Sequence, residues 1–161
     1  MRTILLLLLV FTFHAALSQN WEEIEIDDKV SIKIPGEHNK TASGNNIKIS
    51  AITAKGDISI DRYDLPDSLY HKEYNLDPLE PYAKGYITGM QFGKKVELLS
   101  NNEVFIKDLR AREVLLSNKD DRVVQIYFFI IDRKMYTIKF TENKSPSDTD
   151  REKIFSSIQI M

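Results

Sequence analysis

Acidic residues and a histidine crowd one short segment of the chain, which lies between two stretches of alternating apolar residues. The segment DRYDLPDSLYHKE contains five possible metal ligands: Asp61, Asp64, Asp67, His71 and Glu73. Carboxylates and an imidazole are ligands that divalent cations accept in proteins. Their spacing matches neither a calcium-binding loop nor a pair of histidines one helical turn apart. We interpret the segment as a solvated connection and predict no metal and no other cofactor; Asp64, Asp67, His71 and Glu73 are the candidate ligands should a metal bind.

Groups suited to nucleophilic catalysis are scarce. The chain has no cysteine, and no serine lies in a Gly-x-Ser-x-Gly elbow. Beyond the first 18 residues, His38 and His71 are the histidines that could serve as bases. No spacing points to a triad of serine, histidine and aspartate, so the sequence predicts a protein that is not an enzyme.

Two arginines, Arg110 and Arg112, lie two residues apart and therefore on one side of a predicted strand. Together they could form a fork for a carboxylate or a phosphate. Alternatively, they pair with acidic residues across the sheet, which is the interpretation that we favour.

Tyrosines cluster before and within a predicted helix: Tyr63, Tyr70, Tyr74, Tyr82 and Tyr86. Tyrosine rings are stiff and amphipathic, so they suit a binding surface, and they suit the rim of a small core equally well. We favour the structural role. If the chain has a partner or ligand surface, we expect it at Tyr70, Tyr74, Tyr82 and Tyr86, with Arg110 and Arg112 as further candidates.

The first 18 residues are typical of a signal peptide. A basic residue, Arg2, precedes the apolar run Ile4–Phe13, and small residues at Ala16 and Ser18 predict cleavage between Ser18 and Gln19. The apolar run is too short to cross a bilayer about 30 Å thick. We expect a soluble protein in the periplasm or the extracellular space, with no membrane span.

Charge and composition narrow the classes of partner. The formal net charge of −2 and the lack of a basic run argue against nucleic acid and against an anionic membrane surface. With 161 residues and no internal repeat, the chain predicts one domain, over residues 19–161. Without cysteines, its stability must come from packing alone.

Strands and one helix are predicted in the first half. The alternation in Val30–Pro35 predicts a half-buried strand, and residues 36–46 have the composition of a loop. Residues 46–63 predict a hairpin with its turn near Gly56. A helix is predicted from the cap Asp77 to Gly93, with an apolar face formed by Leu79, Tyr82, Ala83, Tyr86, Ile87 and Met90. Gly85 and Gly89 are predicted to let this helix approach the sheet closely.

The second half predicts a meander of strands over residues 95–101, 103–118, 122–132 and 135–142, followed by a helix from Ser147. Residues 123–131 are apolar on both faces of their strand. Such a strand lies in the middle of a sheet that is covered on both sides. We therefore predict an α+β fold, in which an antiparallel sheet of about six to seven strands has helices on both faces.

This order of elements resembles the PsbP-like superfamily, which includes the extrinsic protein of the oxygen-evolving complex and the periplasmic DcrB-type proteins of bacteria. The matching segments are VSIKIPGEHNK, PYAKGYITGMQ, LRAREVLLSN, VVQIYFFIIDRKMYTIKF and REKIFSSIQI. The resemblance implies an αβα sandwich that acts as a binding or accessory module, without catalytic residues.

Two functions follow from the sequence. The first is a secreted, non-catalytic binding protein that engages a protein or an envelope component. The alternative is a carrier that holds a small apolar or amphipathic ligand between helix and sheet, lined by Tyr82, Tyr86 and Phe129. A carrier requires an enclosed apolar cavity, whereas a partner-binding module requires a filled core and an exposed aromatic patch.

Overall fold

The computed structural model describes residues 21–53, 56–67, 77–94, 96–117, 122–142 and 148–161. In chain order the elements are β1 (Trp21–Glu25), β2 (Val30–Pro35), β3 (His38–Ser43), β4 (Asn46–Ile52), β5 (Gly56–Asp64), α1 (Leu79–Lys94), β6 (Glu97–Ile106), β7 (Leu109–Ser117), β8 (Val123–Ile131), β9 (Lys134–Glu142), α2 (Asp148–Ser156) and β10 (Gln159–Ile160). The predicted signal peptide, the helix start at Ser147, and the candidate residues Tyr70, His71, Glu73 and Tyr74 lie outside the described residues.

Seven strands form the main sheet, in the order β3-β4-β5-β9-β8-β7-β6. Every neighbouring pair is antiparallel. The predicted antiparallel sheet of six to seven strands is therefore confirmed. β8 and β9 occupy inner positions, and β8 is apolar on both faces, as such a position requires.

Helix α1 covers one face of this sheet. On β8 the side chains of Val124, Ile126 and Phe128 point to that face, where they pack with Ala83 and Ile87 of α1. Burial of each large apolar side chain contributes about 1.5–3 kcal/mol, which explains why the strand is apolar on this side.

The opposite face carries a second apolar layer. There Phe129 of β8 packs in one cluster with Ile32 and Ile34 of β2. β2 is the middle strand of a small antiparallel sheet, β1-β2-β10. Ile154 and Phe155 of α2 complete the cluster. The strand β8 is thus covered on both sides, and the cover of the second face includes a small sheet that the sequence did not predict.

Helix α1 begins as predicted, because the Asp77 carboxylate accepts the backbone N–H of Leu79 at 3.1 Å. The expected role of its glycines is wrong. A Cβ added at Gly85 or Gly89 would meet nothing within 4 Å, so these glycines face away from the sheet. Ala83, which is fully buried, is the small residue of α1 that packs in the cluster with the sheet. Of the helices in the described ranges, none has the length and apolar character that crossing a membrane requires.

The strands differ from the prediction at two places. β3 lies within the predicted loop 36–46, and all six of its residues are exposed. β6 runs through Asn101 and Asn102, which were predicted to separate two strands, and it has a bulge between Leu98 and Ser100. The single strand predicted over residues 103–118 is instead divided between β6 and β7. The turn between β6 and β7 falls at Lys107, whose φ is 55°.

Candidate functional site

Helix α1 covers only part of its face of the main sheet, since it packs on β7 and β8. On the strands beyond it, polar side chains alternate with buried ones. A groove of about 450 Å³ lies along this border. We call it the tyrosine groove: its wall is Tyr63 of β5 with Tyr82 and Tyr86 of α1, and its floor includes Thr41, Lys48, Asp61 and Thr137.

The wall is a connected set of aromatic rings. The ring centroid of Tyr82 lies 5.6 Å from that of Tyr63 and 6.4 Å from that of Tyr86. Phe128, which is fully buried, supports both helix tyrosines through edge contacts at 5.7 and 5.2 Å. Such contacts restrict the rotamers of the rings, so the wall is preorganised.

The floor offers a positively charged, a negatively charged and a neutral hydrogen-bonding side chain, from Lys48, Asp61 and Thr137. Lys48 and Asp61 are direct cross-strand neighbours on β4 and β5, and Ser59 donates a hydrogen bond to Asp61 at 3.2 Å. Thr137 is 1 % exposed, and its hydroxyl oxygen has no hydrogen-bond partner among the described residues. A buried hydroxyl without a partner is costly, and a ligand in the groove could supply one.

Tyr63 and Tyr86 of the wall remain protonated at neutral pH. Burial raises the pKa of the Tyr63 hydroxyl, and the neighbouring Tyr82 raises it further. Burial also raises the pKa of Tyr86, with a smaller contribution from the negative charge of Asp61. These groups can therefore donate and accept hydrogen bonds but cannot serve as phenolate bases.

The predicted metal candidates that the structure describes are bound to other side chains. Asp64 accepts a hydrogen bond from Asn45 at 2.6 Å and lies 3.7 Å from the guanidinium of Arg62. Asp67 forms an ion pair of 2.5 Å with Arg133. Within the described ranges, no three histidine or carboxylate side chains are grouped as a metal site requires.

Arg110 and Arg112 do not form a fork. Arg110 pairs with Glu103 at 2.6 Å and with Asp77 at 2.5 Å, which joins the start of α1 to β7. The hydrogen bond that this guanidinium donates to Glu103, together with the charge of Asp77, raises its pKa. Arg112 donates to Asn101 at 2.9 and 3.2 Å. The favoured interpretation, pairing with acids across the sheet, is confirmed for Arg110.

The predicted lining of a carrier cavity is not assembled. Tyr82 and Tyr86 contact Phe128, whereas Phe129 lies on the other face of the sheet, stacked on Tyr136 at 5.0 Å. Neighbouring residues of a strand point to opposite faces, and the sequence did not show which face α1 covers.

The polar floor was not predicted as a binding feature. A signal was present, since alternate residues of β4 and β5 are polar: Asn46, Lys48, Ser50, Asp57, Ser59 and Asp61. Alternation of this kind indicates a strand face that is open to solvent.

These features define an α+β sandwich, in which helices and a small sheet pack on a seven-stranded antiparallel sheet. No family model matches the sequence, and a search of curated proteins gives no match. Among solved structures, the chain is similar to the solution structure of cyanobacterial PsbP (CyanoP) from Synechocystis sp. PCC 6803. The TM-score is 0.62 at 11% sequence identity, over 89% of this chain and 94% of that one.

A crystal structure from Bacteroides thetaiotaomicron VPI-5482 is also similar, with a TM-score of 0.51 at 12% identity over 89% of this chain. The match covers 49% of the Bacteroides chain, so this chain spans about half of its length. The chain has the PsbP-like fold, as the sequence resemblance predicted. At such identities the likeness concerns the fold alone.

Proposed function

We propose that this chain is a secreted, non-catalytic accessory protein, which binds a protein or envelope partner through the tyrosine groove. One observation carries the proposal: the space between helix and sheet is filled, while a supported aromatic wall stands beside it at the surface. This is the arrangement that distinguishes a partner-binding module from a carrier.

The filled interface leaves little room for an enclosed ligand beneath α1. Ala83 and Phe128 are fully buried there, and Ile87 is 5% exposed. Side chains thus occupy the volume that a carried molecule would need, as expected of a close-packed core.

The wall has the properties of a binding surface. Tyr82 and Tyr86 are half-buried, so each keeps one side in contact with solvent. Their support by Phe128 means that little conformational entropy is lost when a partner binds. Tyrosine is enriched among the residues that dominate binding energy at interfaces.

The floor favours a partner with both hydrogen-bond donors and acceptors. Lys48 supplies a positive charge, Asp61 a negative charge, and the hydroxyls of Thr41 and Thr137 can do either. A segment of polypeptide, with its alternating N–H and C=O groups, has this mixed character.

A small amphipathic ligand is the second candidate for the same groove. Its volume of about 450 Å³ lies within the range of small-molecule sites, roughly 300–1,000 Å³. Such a ligand would lie at the surface against the tyrosines.

The secreted location is part of the proposal and depends on residues 1–18, with cleavage near Ser18 and Gln19. Sequencing the amino terminus of the exported protein tests it. An intact Met1 on the exported protein would contradict signal cleavage.

Photo-cross-linking tests the groove. A photoreactive amino acid is placed at Lys48, in the groove floor, or at Thr88, on the exposed outer side of α1. In cells that produce the protein, we expect a discrete protein adduct from position 48 and none from position 88. Equal adducts from both positions, or adducts from position 88 alone, would contradict the proposal. A small bound mass in native mass spectrometry, without a protein adduct, would favour the second candidate.

A further inference from the structure

A second cavity, of about 540 Å³, lies on the opposite face of the main sheet from the tyrosine groove. Strands β7 and β8 form one side of it, and helix α2 forms the other. We call it the acidic pocket and define it by Glu113, Gln125 and Tyr127 of the strands, with Glu152 and Phe155 of the helix.

Glu113 fixes the polar groups at the base of this pocket. Its Oε1 accepts a hydrogen bond from the Tyr127 hydroxyl at 2.7 Å and another from the side-chain amide of Gln125. A carboxylate can only accept, so it selects the amide orientation that directs Nε2 of Gln125 toward Glu113. The carbonyl oxygen of Gln125 is thereby turned away from Glu113.

That carbonyl oxygen is an unsatisfied hydrogen-bond acceptor among the described residues. Gln125 is 6 % exposed, and its Oε1 is buried with no hydrogen-bond partner in the part of the chain that the structure describes. Buried polar groups in native proteins are nearly always paired. Gln125 is one of the residues that line the pocket, so a ligand that carries N–H groups could supply the missing donor.

The remaining lining favours a cation on a short apolar stem. The rings of Tyr127 and Phe155 lie 4.0 Å apart between centroids and form an aromatic wall. Among the described residues of the lining, Glu113 and Glu152 contribute two negative charges, against one positive charge from Lys107. Aromatic faces and carboxylates both attract a cation.

We propose that the acidic pocket binds a primary ammonium group, which comes from a free alkylamine or from a lysine side chain of another protein. The ammonium donates to Gln125 Oε1 and to the Glu113 carboxylate, and its alkyl stem packs on Tyr127 and Phe155. An ammonium has three donors and no acceptor, which matches a site whose fixed groups are acceptors. This site is separate from the tyrosine groove, and its occupancy does not depend on the function proposed there.

Titration monitored by nuclear magnetic resonance tests the pocket directly, with the side-chain amide signal of Gln125 as the readout. The probes are butylammonium and a blocked tripeptide with a central lysine; tetramethylammonium and butanol are the controls, at matched ionic strength. We expect both ammonium probes to saturate with a Kd on the order of 1–10 mM, as is usual for fragments of this size. If only the tripeptide saturates, the ligand is a lysine side chain; saturation by both probes indicates free amines as well.

Three variants test which side chains contribute to ammonium binding. Glu113→Gln is isosteric and should weaken butylammonium binding about tenfold, because it removes a charge-assisted hydrogen bond. Lys107→Ala changes an exposed residue and should tighten binding about twofold, because it removes a like charge. Asp61→Asn, in the tyrosine groove, should leave binding unchanged. The proposal is overturned if neither ammonium probe saturates, if tetramethylammonium or butanol binds as well, or if Lys107→Ala weakens binding.

Discussion

Asp27 and Arg62 join the two sheets through an ion pair, in which Nε of Arg62 lies 3.1 Å from Oδ2 of Asp27. Asp27 follows β1, and Arg62 belongs to β5. Both side chains are nearly buried, at 7% and 10% exposure. The same carboxylate accepts the hydroxyl of Tyr136 at 2.7 Å and the backbone N–H of Lys29 at 3.0 Å. The position of the small sheet over the main one is therefore specified by a polar contact within an apolar layer.

Replacement of Asp27 should be strongly destabilising. Asp27→Asn leaves the buried guanidinium of Arg62 without its closest counter-charge, and loss of one partner of a buried pair costs about 3–5 kcal/mol. The free energy of unfolding at pH 7, from denaturant titration, measures this loss. The neighbouring Asp28→Asn is the control; Asp28 is 74% exposed, and its replacement should change stability by less than about 0.5 kcal/mol. Equal effects of the two substitutions would contradict the buried pair.

The contribution of Asp27 should also depend on pH. Burial alone raises its pKa, but hydrogen bonds from Tyr136 and the backbone of Lys29, with the charges of Lys134 and Arg62, outweigh burial and lower it. The folded pKa thus lies below the unfolded value of about 3.9. The stabilisation is fully present above that unfolded value and is lost as the pH falls through the folded pKa. Unfolding measured between neutral and acidic pH should show the gap between wild type and Asp27→Asn narrowing in acid; a constant gap would contradict it.

The glycines of α1 offer a stabilising change. Gly85→Ala and Gly89→Ala add a methyl group into open space, and each should raise the free energy of unfolding by about 0.4–1 kcal/mol. Gly56→Ala is the contrasting control, because its Cβ would lie 2.3 Å from the backbone oxygen of Thr141. Thermal unfolding should place these variants on opposite sides of wild type. Destabilisation by Gly85→Ala would show that the outer face of α1 is packed against something.

The turn between β8 and β9 has residues that its backbone disfavours. Asp132 and Arg133 have φ values of 48° and 66°, the left-handed region in which type I′ hairpins prefer Asn-Gly. Arg133→Gly should therefore stabilise the protein by about 0.5–1 kcal/mol, because it relieves left-handed strain that outweighs the added freedom of the unfolded chain.

Arg133 also pairs with Asp67, so a control is needed. Asp67→Ala removes the same ion pair without altering the turn, and Asp67 is 91% exposed. The Asp67→Ala substitution should change the free energy of unfolding by less than about 0.5 kcal/mol. Destabilisation by Arg133→Gly beyond that of Asp67→Ala would contradict the strain in this turn.

The elements that carry a strong apolar pattern were predictable. The two-faced sequence of β8 placed it inside a covered sheet, and the Asp77 cap placed the start of α1. β3 was not predictable, because an edge strand that is exposed on both faces needs no apolar alternation. The pairing of Asp27 with Arg62 joins residues 35 positions apart, and no local pattern specifies such a contact.

The sequence predicted which tyrosines could form the candidate site, but it did not predict which residues they contact in the fold. The sequence placed Tyr82 and Tyr86 on the inner face of a helix, yet their neighbour Phe128 depends on which face of β8 the helix covers. That choice is set by the order of strands in the sheet, which brings together elements distant in sequence. The acidic pocket has the same origin, since α2 and β7 meet only in the folded chain.

The dissociation constant for the partner recovered by cross-linking at Lys48 tests most directly whether a partner binds in the tyrosine groove. Thr41→Arg places a large charged side chain in the tyrosine groove, and Thr88→Arg makes the same change on the outer side of α1. Both threonines are exposed and donate to backbone carbonyls of their own elements or neighbours, so both variants should fold.

We predict that Thr41→Arg weakens binding of this partner at least about tenfold, as expected for obstruction of a central contact. Thr88→Arg should bind as wild type does. Equal affinities of the two variants would show that the partner binds elsewhere and would contradict the assignment of the tyrosine groove.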